Sequence, residues 1–259
     1  MAKTTPPLPK PMDRIRSYVT TLFKLSDGED VMLTFDRFSA ETYDRITFEA
    51  RALVLAGWTG RDPAALRLHI EELANLGVPR PTSVPIFYRA SAANITQAER
   101  VEVLGPDTSG EAEPVVVGCA DGLWLGLGSD HTDRKAETIM GVAASKQLCP
   151  KPLARTLWRL DEVAPRWDRI ILRSYATIDG ARMLYQEGTL AAMRTPADLI
   201  SRLALDSRGL VPGTVLFCGT LNAISGIRPA SRFEMELEDP TSGRKISHAY
   251  DITVLQIVS

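Results

Sequence analysis

From Arg100 to the C-terminus the chain is a succession of short apolar runs: RVEVLG, EPVVVG, LWLGLG, RIILRSYA, GARMLYQEG, GTVLFCG, RFEMELED and YDITVLQIV. Gly, Asp and Pro punctuate them, and each run is shorter than a helix needs to bury one face, so the period of the pattern is that of strands. Three helical stretches interrupt the series, around ETIMGVAASK, around PLARTLWRLDEVA and in TPADLISRLALDSRG. Many closely spaced strands with few helices predict a β-rich α+β fold with the helices packed outside.

Upstream, VMLTFDRF and ITFEARALVLAGW also read as strands. DPAALRLHIEELANLG carries converging helix signals: Asp62 as N-cap, Pro63 in the first turn, Leu66, Ile70 and Leu73 on one stripe, and Gly77 as the stop. The Pro-punctuated VPRPTSVP then leads into the strand IFYRA. This divides the chain into a Pro-rich tail (1–12), a segment of N-terminal strands with a lid-type helix (13–80) and a larger C-terminal domain (81–259). Proline in that VPRPTSVP segment makes the preceding helix a candidate mobile element.

With 44% apolar and 24% charged residues and a net charge of −2, nothing marks a nucleic-acid or acidic-membrane partner, and small molecules are the expected ligands. No apolar run approaches the roughly 20 residues of a membrane span, and MAKTTPPLPKPM has prolines where a secretory signal needs an apolar stretch. Cys119, Cys149 and Cys218 are widely spaced and form no C-x-x-C pair, as expected of a reducing, cytoplasmic setting. Cys218, in FCGT, reads as core.

Polar chemistry concentrates where an apolar run ends. Glu111 and Glu113 precede VVVG, and strand alternation turns residues i and i+2 to one face, so both carboxylates can converge on one ion. Asp130, in GSDHTDRKAE, is the natural third oxygen ligand for a hard cation such as Mg²⁺ or Mn²⁺. A solvated strand edge is the plainer reading of the two glutamates, and Pro114 favours an edge or a bulge over a central strand. His69 and Glu72 are neighbours on the predicted helix, the layout of an imidazole oriented by a carboxylate, or simply a surface pair. Lys146, after a run of small residues, is either an electrostatic stabiliser or a solvated lysine.

Taken in order, LHIEEL, VPIFYRAS, GEAEPVVVG, SDHTDR, ASKQL, YQEGTLAAM and LVPGTVLFCGTLNAI resemble the fumarylacetoacetate hydrolase superfamily, as a divergent branch, from about Gly57 to the C-terminus. The resemblance implies a fold built around a carboxylate-held Mg²⁺ or Mn²⁺, in a homodimer. It implies Glu111, Glu113 and Asp130 as metal ligands, His69 and Glu72 as the water-activating dyad, and Lys146 as the active-site lysine. Thr220 would help hold a substrate carboxylate, and Arg134 would contact substrate or form a structural ion pair. His131 and Asp133 belong to this branch's own cluster. His131 is a candidate substrate-binding residue, and either side chain is open to ligation, substrate contact or a structural hydrogen bond. The chain departs from the family pattern at Leu221, where proline usually follows Gly-Thr, and at Pro114, where an aliphatic residue is usual. The spacing of Glu113 to Asp130 is also shorter than usual.

The implied activity is metal-dependent hydrolysis of a carbon–carbon bond in a dioxo acid. Alternatives are an oxo-acid decarboxylase, isomerase or hydratase on the same fold, or a metabolite-binding protein that has lost catalysis.

Overall fold

The fold is that of a computed structural model, which describes residues 31–75, 80–203, 210–256 and 258. The Pro-rich tail and Gly77 lie outside the described residues, as do the side chains of His69 and Leu73.

Eight strands form the main sheet, in the spatial order Tyr43–Ala50, Val31–Phe38, Thr156–Arg159, Gly122–Ser129, Ala112–Cys119, Thr214–Phe217, Ala52–Gly57 and Ile86–Ala90. One apolar cluster draws side chains from all eight, including Phe35, Phe48, Leu157, Trp124, Val115, Phe217, Leu55 and Tyr88, so the sheet curls around it into a half-barrel. The opposite, convex face contributes Val116, Leu125, Leu127, Trp158 and Leu216 to a second core. That core is closed by a five-stranded sheet, ordered Ala181–Thr189, Ile171–Ile178, Arg232–Asp239, Arg244–Val254 and Arg100–Val103. Full burial of a side chain such as Phe217 or Leu157 contributes on the order of 2 kcal/mol.

The β-rich α+β expectation holds, with two local corrections. PLARTLWRLDEVA is not one helix: Thr156–Arg159 is a strand of the main sheet, and only Leu160–Val163 is α-helical. Leu157 and Trp158 are both buried, one in each core, and a strand buried on two faces loses the polar alternation that would have marked it. Pro114 stands in a central strand, not at an edge. The fold accommodates it because the Pro114 carbonyl accepts from Cys218 N–H at 3.0 Å just where the neighbouring strand, paired up to Phe217, leaves the sheet. The missing N–H therefore falls at the end of a ladder.

The helix Pro63–Asn75 begins as expected, with Asp62 accepting from Ala64 N–H at 2.8 Å. ETIMGVAASK is split at Gly141 into two short helices, Arg134–Met140 and Val142–Gln147. Asp133 caps the first, accepting from Ala136 N–H at 2.8 Å.

Candidate metal centre

The hairpin formed by Ala112–Cys119 and Gly122–Ser129 builds the site through its register. Ala112 pairs with Ser129 and Glu113 with Gly128, and Asp130 N–H donates to the Glu111 carbonyl at 2.9 Å, so Glu111 and Asp130 face each other one rung beyond. Opposed residues and i, i+2 neighbours share a face, which turns Glu111, Glu113 and Asp130 together to the concave side, in line with Val115. The three offer carboxylate oxygens lying within 4.8 Å of one another. Gly128, opposite Glu113, leaves room for the Phe217 ring, which a Cβ there would meet at 2.6 Å.

The cluster is held inside the protein. Glu113 and Asp130 are 2% and 1% exposed. Glu113 accepts from Gly219 N–H at 2.7 Å, and Gly219 has φ +93° with Thr59 Oγ1 packed where its Cβ would stand, so only glycine fits there. Behind this loop Gln186 uses its full hydrogen-bonding capacity. It donates to Thr220 Oγ1 (2.7 Å) and the Leu221 carbonyl (2.6 Å), and it accepts from Ala112 N–H (3.0 Å) and Ser174 Oγ (2.7 Å). Thr220 donates its hydroxyl proton to the Ala112 carbonyl at 2.7 Å, so this side chain ties the loop to the carboxylate-bearing strand.

Three cations face the three acids. Lys146 pairs with Asp130 Oδ2 and lies 3.6 Å from Glu111. Lys151 lies 3.2 Å from Asp130 Oδ1. Arg134 approaches Glu111 at 2.9 Å and also bonds Glu137 (3.0 Å) and Ser109 (2.7 Å). Burial alone would push the Lys146 ammonium down, but Asp130, Glu111 and Glu113 outweigh it and hold the group above the ordinary lysine range. Burial likewise opposes the charge on Asp130, and Lys146 and Lys151 overcome it, keeping the carboxyl below its usual value. Glu113 goes the other way: burial, reinforced by the Asp130 charge, pushes it well up.

The residues fit a hard divalent cation. The donors are all oxygens, and Asp130 Oδ1 is buried and accepts no hydrogen bond although Lys151 is close, its ammonium lying off the bonding direction. A cation at this position would also offset the penalty carried by Glu113.

Of the other residues singled out in the sequence, Arg134 joins the cluster as a structural ion pair, and Asp133 serves as a helix cap. His131 is one residue past Asp130, and alternation sends it to the convex face, where it is fully buried. Its ring nitrogens engage Tyr250 OH and Thr108 Oγ1, each at 2.9 Å, and Tyr250 in turn bonds Ser129 Oγ at 2.8 Å. Burial, helped by Lys151 and Arg134, pushes the imidazole down to about 3. Of the roles left open for His131, this placement supports the structural hydrogen bond. Glu72 lies exposed on the helix Pro63–Asn75.

The sequence reading passed over three participants. Lys151, between Pro150 and Pro152, carries no sequence signal of its burial. Tyr88, on the concave face, receives a hydrogen bond from Trp58, and burial pushes its phenol up while nearby Lys146 pulls it down. Trp58 has φ +58°, a left-handed conformation rare for a bulky residue. A tryptophan directly after the strand-ending Gly57 was the available signal for a special turn.

No curated protein matches the chain. Among solved structures it is similar to the fumarylpyruvate hydrolase of Pseudomonas aeruginosa in complex with Mn²⁺ and pyruvate, at 17% identity over 90% of this chain and 99% of that one, with a TM-score of 0.53. It is also similar to yeast ynq8, a fumarylacetoacetate hydrolase family protein (16% identity, 79% of this chain and 94% of that one, TM-score 0.54). A third similar structure is 2-keto-3-deoxy-D-arabinonate dehydratase with magnesium and 2,5-dioxopentanoate (12% identity, 93% and 82% covered, TM-score 0.57). These likenesses establish the fold. A family model described as "protein of unknown function (DUF2848)" matches residues 56–250. The chain therefore belongs to the DUF2848 family, a divergent branch on the fumarylacetoacetate hydrolase fold.

Proposed function

We propose that this protein is a divalent-metal-dependent enzyme that hydrolyses a carbon–carbon bond in a dioxo acid. The observation that carries the reading is the convergence of Glu111, Glu113 and Asp130 within 4.8 Å on the concave face, with Lys146 against Asp130. These three residues would hold Mg²⁺ or Mn²⁺. The ion would supply the charge that orients two neighbouring substrate oxygens and offsets negative charge developing as the bond breaks.

The chain's own groups supply the rest. Lys146 is held protonated at the cluster and adds a second positive charge beside the reacting oxygens. His69 would take a proton from the attacking water with Glu72 orienting its ring, and the helix Pro63–Asn75 would bring the pair over the site. Tyr88 lies near Lys146 and gives the site an aromatic side. Thr220 and Gln186 hold the loop at Gly219 that fixes Glu113. The reading includes a homodimer in the cytoplasm. Among the described residues no helix is long and apolar enough to cross a membrane.

The test is turnover of a panel of β-dioxo acids and oxaloacetate with Mg²⁺ or Mn²⁺, before and after chelation. Metal-dependent release of two carbonyl-containing fragments from a dioxo acid is the expected result. Carbon dioxide release from oxaloacetate alone would make the protein a decarboxylase. Binding without turnover of any panel member would make it a metabolite-binding protein.

A further inference from the structure

We propose that Lys151 is a positioning residue that sets the strength of the cation site: its buried ammonium fixes Asp130 and weakens the hold on the divalent ion. The proposal rests on the reading of Glu111, Glu113 and Asp130 as metal ligands.

Lys151 begins the two-residue strand Lys151–Pro152 and is fully buried, so it touches no substrate. Its Nζ lies 2.5 Å from the His131 carbonyl, 3.1 Å from the Cys149 carbonyl and 3.2 Å from Asp130 Oδ1. Two of these oxygens are backbone carbonyls that accept hydrogen bonds from the ammonium, and the third, Asp130 Oδ1, faces it as an ion pair without a hydrogen bond. The charge is thereby anchored beside Asp130. Lys146 pairs with the other oxygen, so Asp130 stands between two ammonium groups.

Burying a lysine is costly, and an apolar side chain would fill the same space at lower cost. The charge therefore needs an explanation other than packing. A fixed positive charge in contact with a cation's ligand acts on the cation through the same low-dielectric interior, and its effect is repulsive. Lys146 keeps slight exposure, whereas Lys151 has none and is tied to two backbone carbonyls. The two ammonium groups thus divide the work, one for the reaction and one for the affinity of the ion.

The test is Mn²⁺ titration of the chelator-stripped full chain, followed by the electron paramagnetic resonance signal of free Mn²⁺, for wild type, Lys151→Gln and Lys151→Arg. Gln removes the charge and keeps a donor for the two carbonyls, so its Kd should tighten by about tenfold or more. Arg keeps the charge and should hold the wild-type Kd to within about threefold. Loss of packing alone would weaken binding, so tightening is a result that a merely structural role does not produce. A Lys151→Gln protein with the wild-type circular dichroism spectrum and an unchanged or weaker Kd would overturn the proposal. Should Lys151→Gln not fold, Lys151→Met takes its place under the same criterion, and failure of both neutral variants to fold would make the lysine structural and equally overturn it. Wild-type protein that binds no Mn²⁺ would instead remove the metal reading, and this proposal with it.

Discussion

The strand Ala112–Cys119 carries a charge cluster at each end, and the two are built differently. At the Cys119 end, Arg37 is buried beside two aspartates, Asp44 at 2.8 Å and Asp121 at 2.8 Å, and its guanidinium lies 4.3 Å from the centre of the Trp124 ring. The side chains of those aspartates are 45% and 48% exposed, so water still solvates the anions. At the Glu113 end two of the acids are almost wholly buried, all three converge on one face, and one oxygen of Asp130 has no hydrogen-bond donor. In the first cluster Arg37 is matched by two partly solvated carboxylates. The second sets three acids against three cations in the interior, with Glu113 pushed well up by burial and the Asp130 charge, and buried clusters of perturbed groups of this kind are candidate functional sites.

Disabling the proposed base should produce the largest effect. His69→Ala is expected to lower kcat by roughly 10²–10⁴ with Mn²⁺ affinity unchanged, and Glu72→Gln to do the same more mildly. Wild-type turnover by His69→Ala under saturating substrate would reduce the pair to a surface contact. Next, Glu111→Gln should weaken Mn²⁺ binding by about a hundredfold and reduce activity with it, while the melting temperature of the metal-free protein stays near wild type. Equal metal affinity in the variant would detach Glu111 from the site.

At the other end the readouts exchange places. Arg37→Met should cost about 1–3 kcal/mol of stability, from the lost ion pairs and the Trp124 contact, and leave Mn²⁺ affinity untouched. Calorimetric melting beside metal titration checks both halves, and a change in metal affinity would show that the two ends are coupled. The smallest effect concerns pH. The Arg37 hydrogen bond holds the Asp44 carboxyl below its ordinary value of 3.8, against a small opposing effect of burial. A depressed acid contributes stability that is present above that value and lost as pH falls through the folded-state value. Asp44→Asn should therefore flatten the acid side of the stability curve. An identical curve for the variant would mean that the pair contributes nothing.

The two ends also differ in how far the sequence announced them. Glu111 and Glu113 were legible because strand alternation is a strict period of two, and Asp130 because it ends the next apolar run. Lys146 was legible only through the order of motifs. Lys151 was not, because nothing in CPKPLA signals that a lysine between prolines will be fully buried. Arg37 pairs with Asp121 across 84 residues, a contact that only the closed hairpin and curled sheet bring about. The strand Thr156–Arg159 was hidden for a related reason, since Leu157 and Trp158 fill two different cores and their local sequence carries no polar face. His131 shows the converse. Its place in a polar run suggested chemistry, and the same alternation that points Asp130 inward turns it to the opposite face.

The central claim is that Glu111, Glu113 and Asp130 share one divalent ion. A crystal of the wild-type protein grown with Mn²⁺ and measured near the manganese absorption edge tests it directly. The account predicts a single strong anomalous peak per chain, in contact with oxygens of all three carboxylates. A protein saturated with Mn²⁺ whose peak lies elsewhere, or three carboxylates still paired only with Lys146, Lys151 and Arg134 at saturating metal, would contradict it.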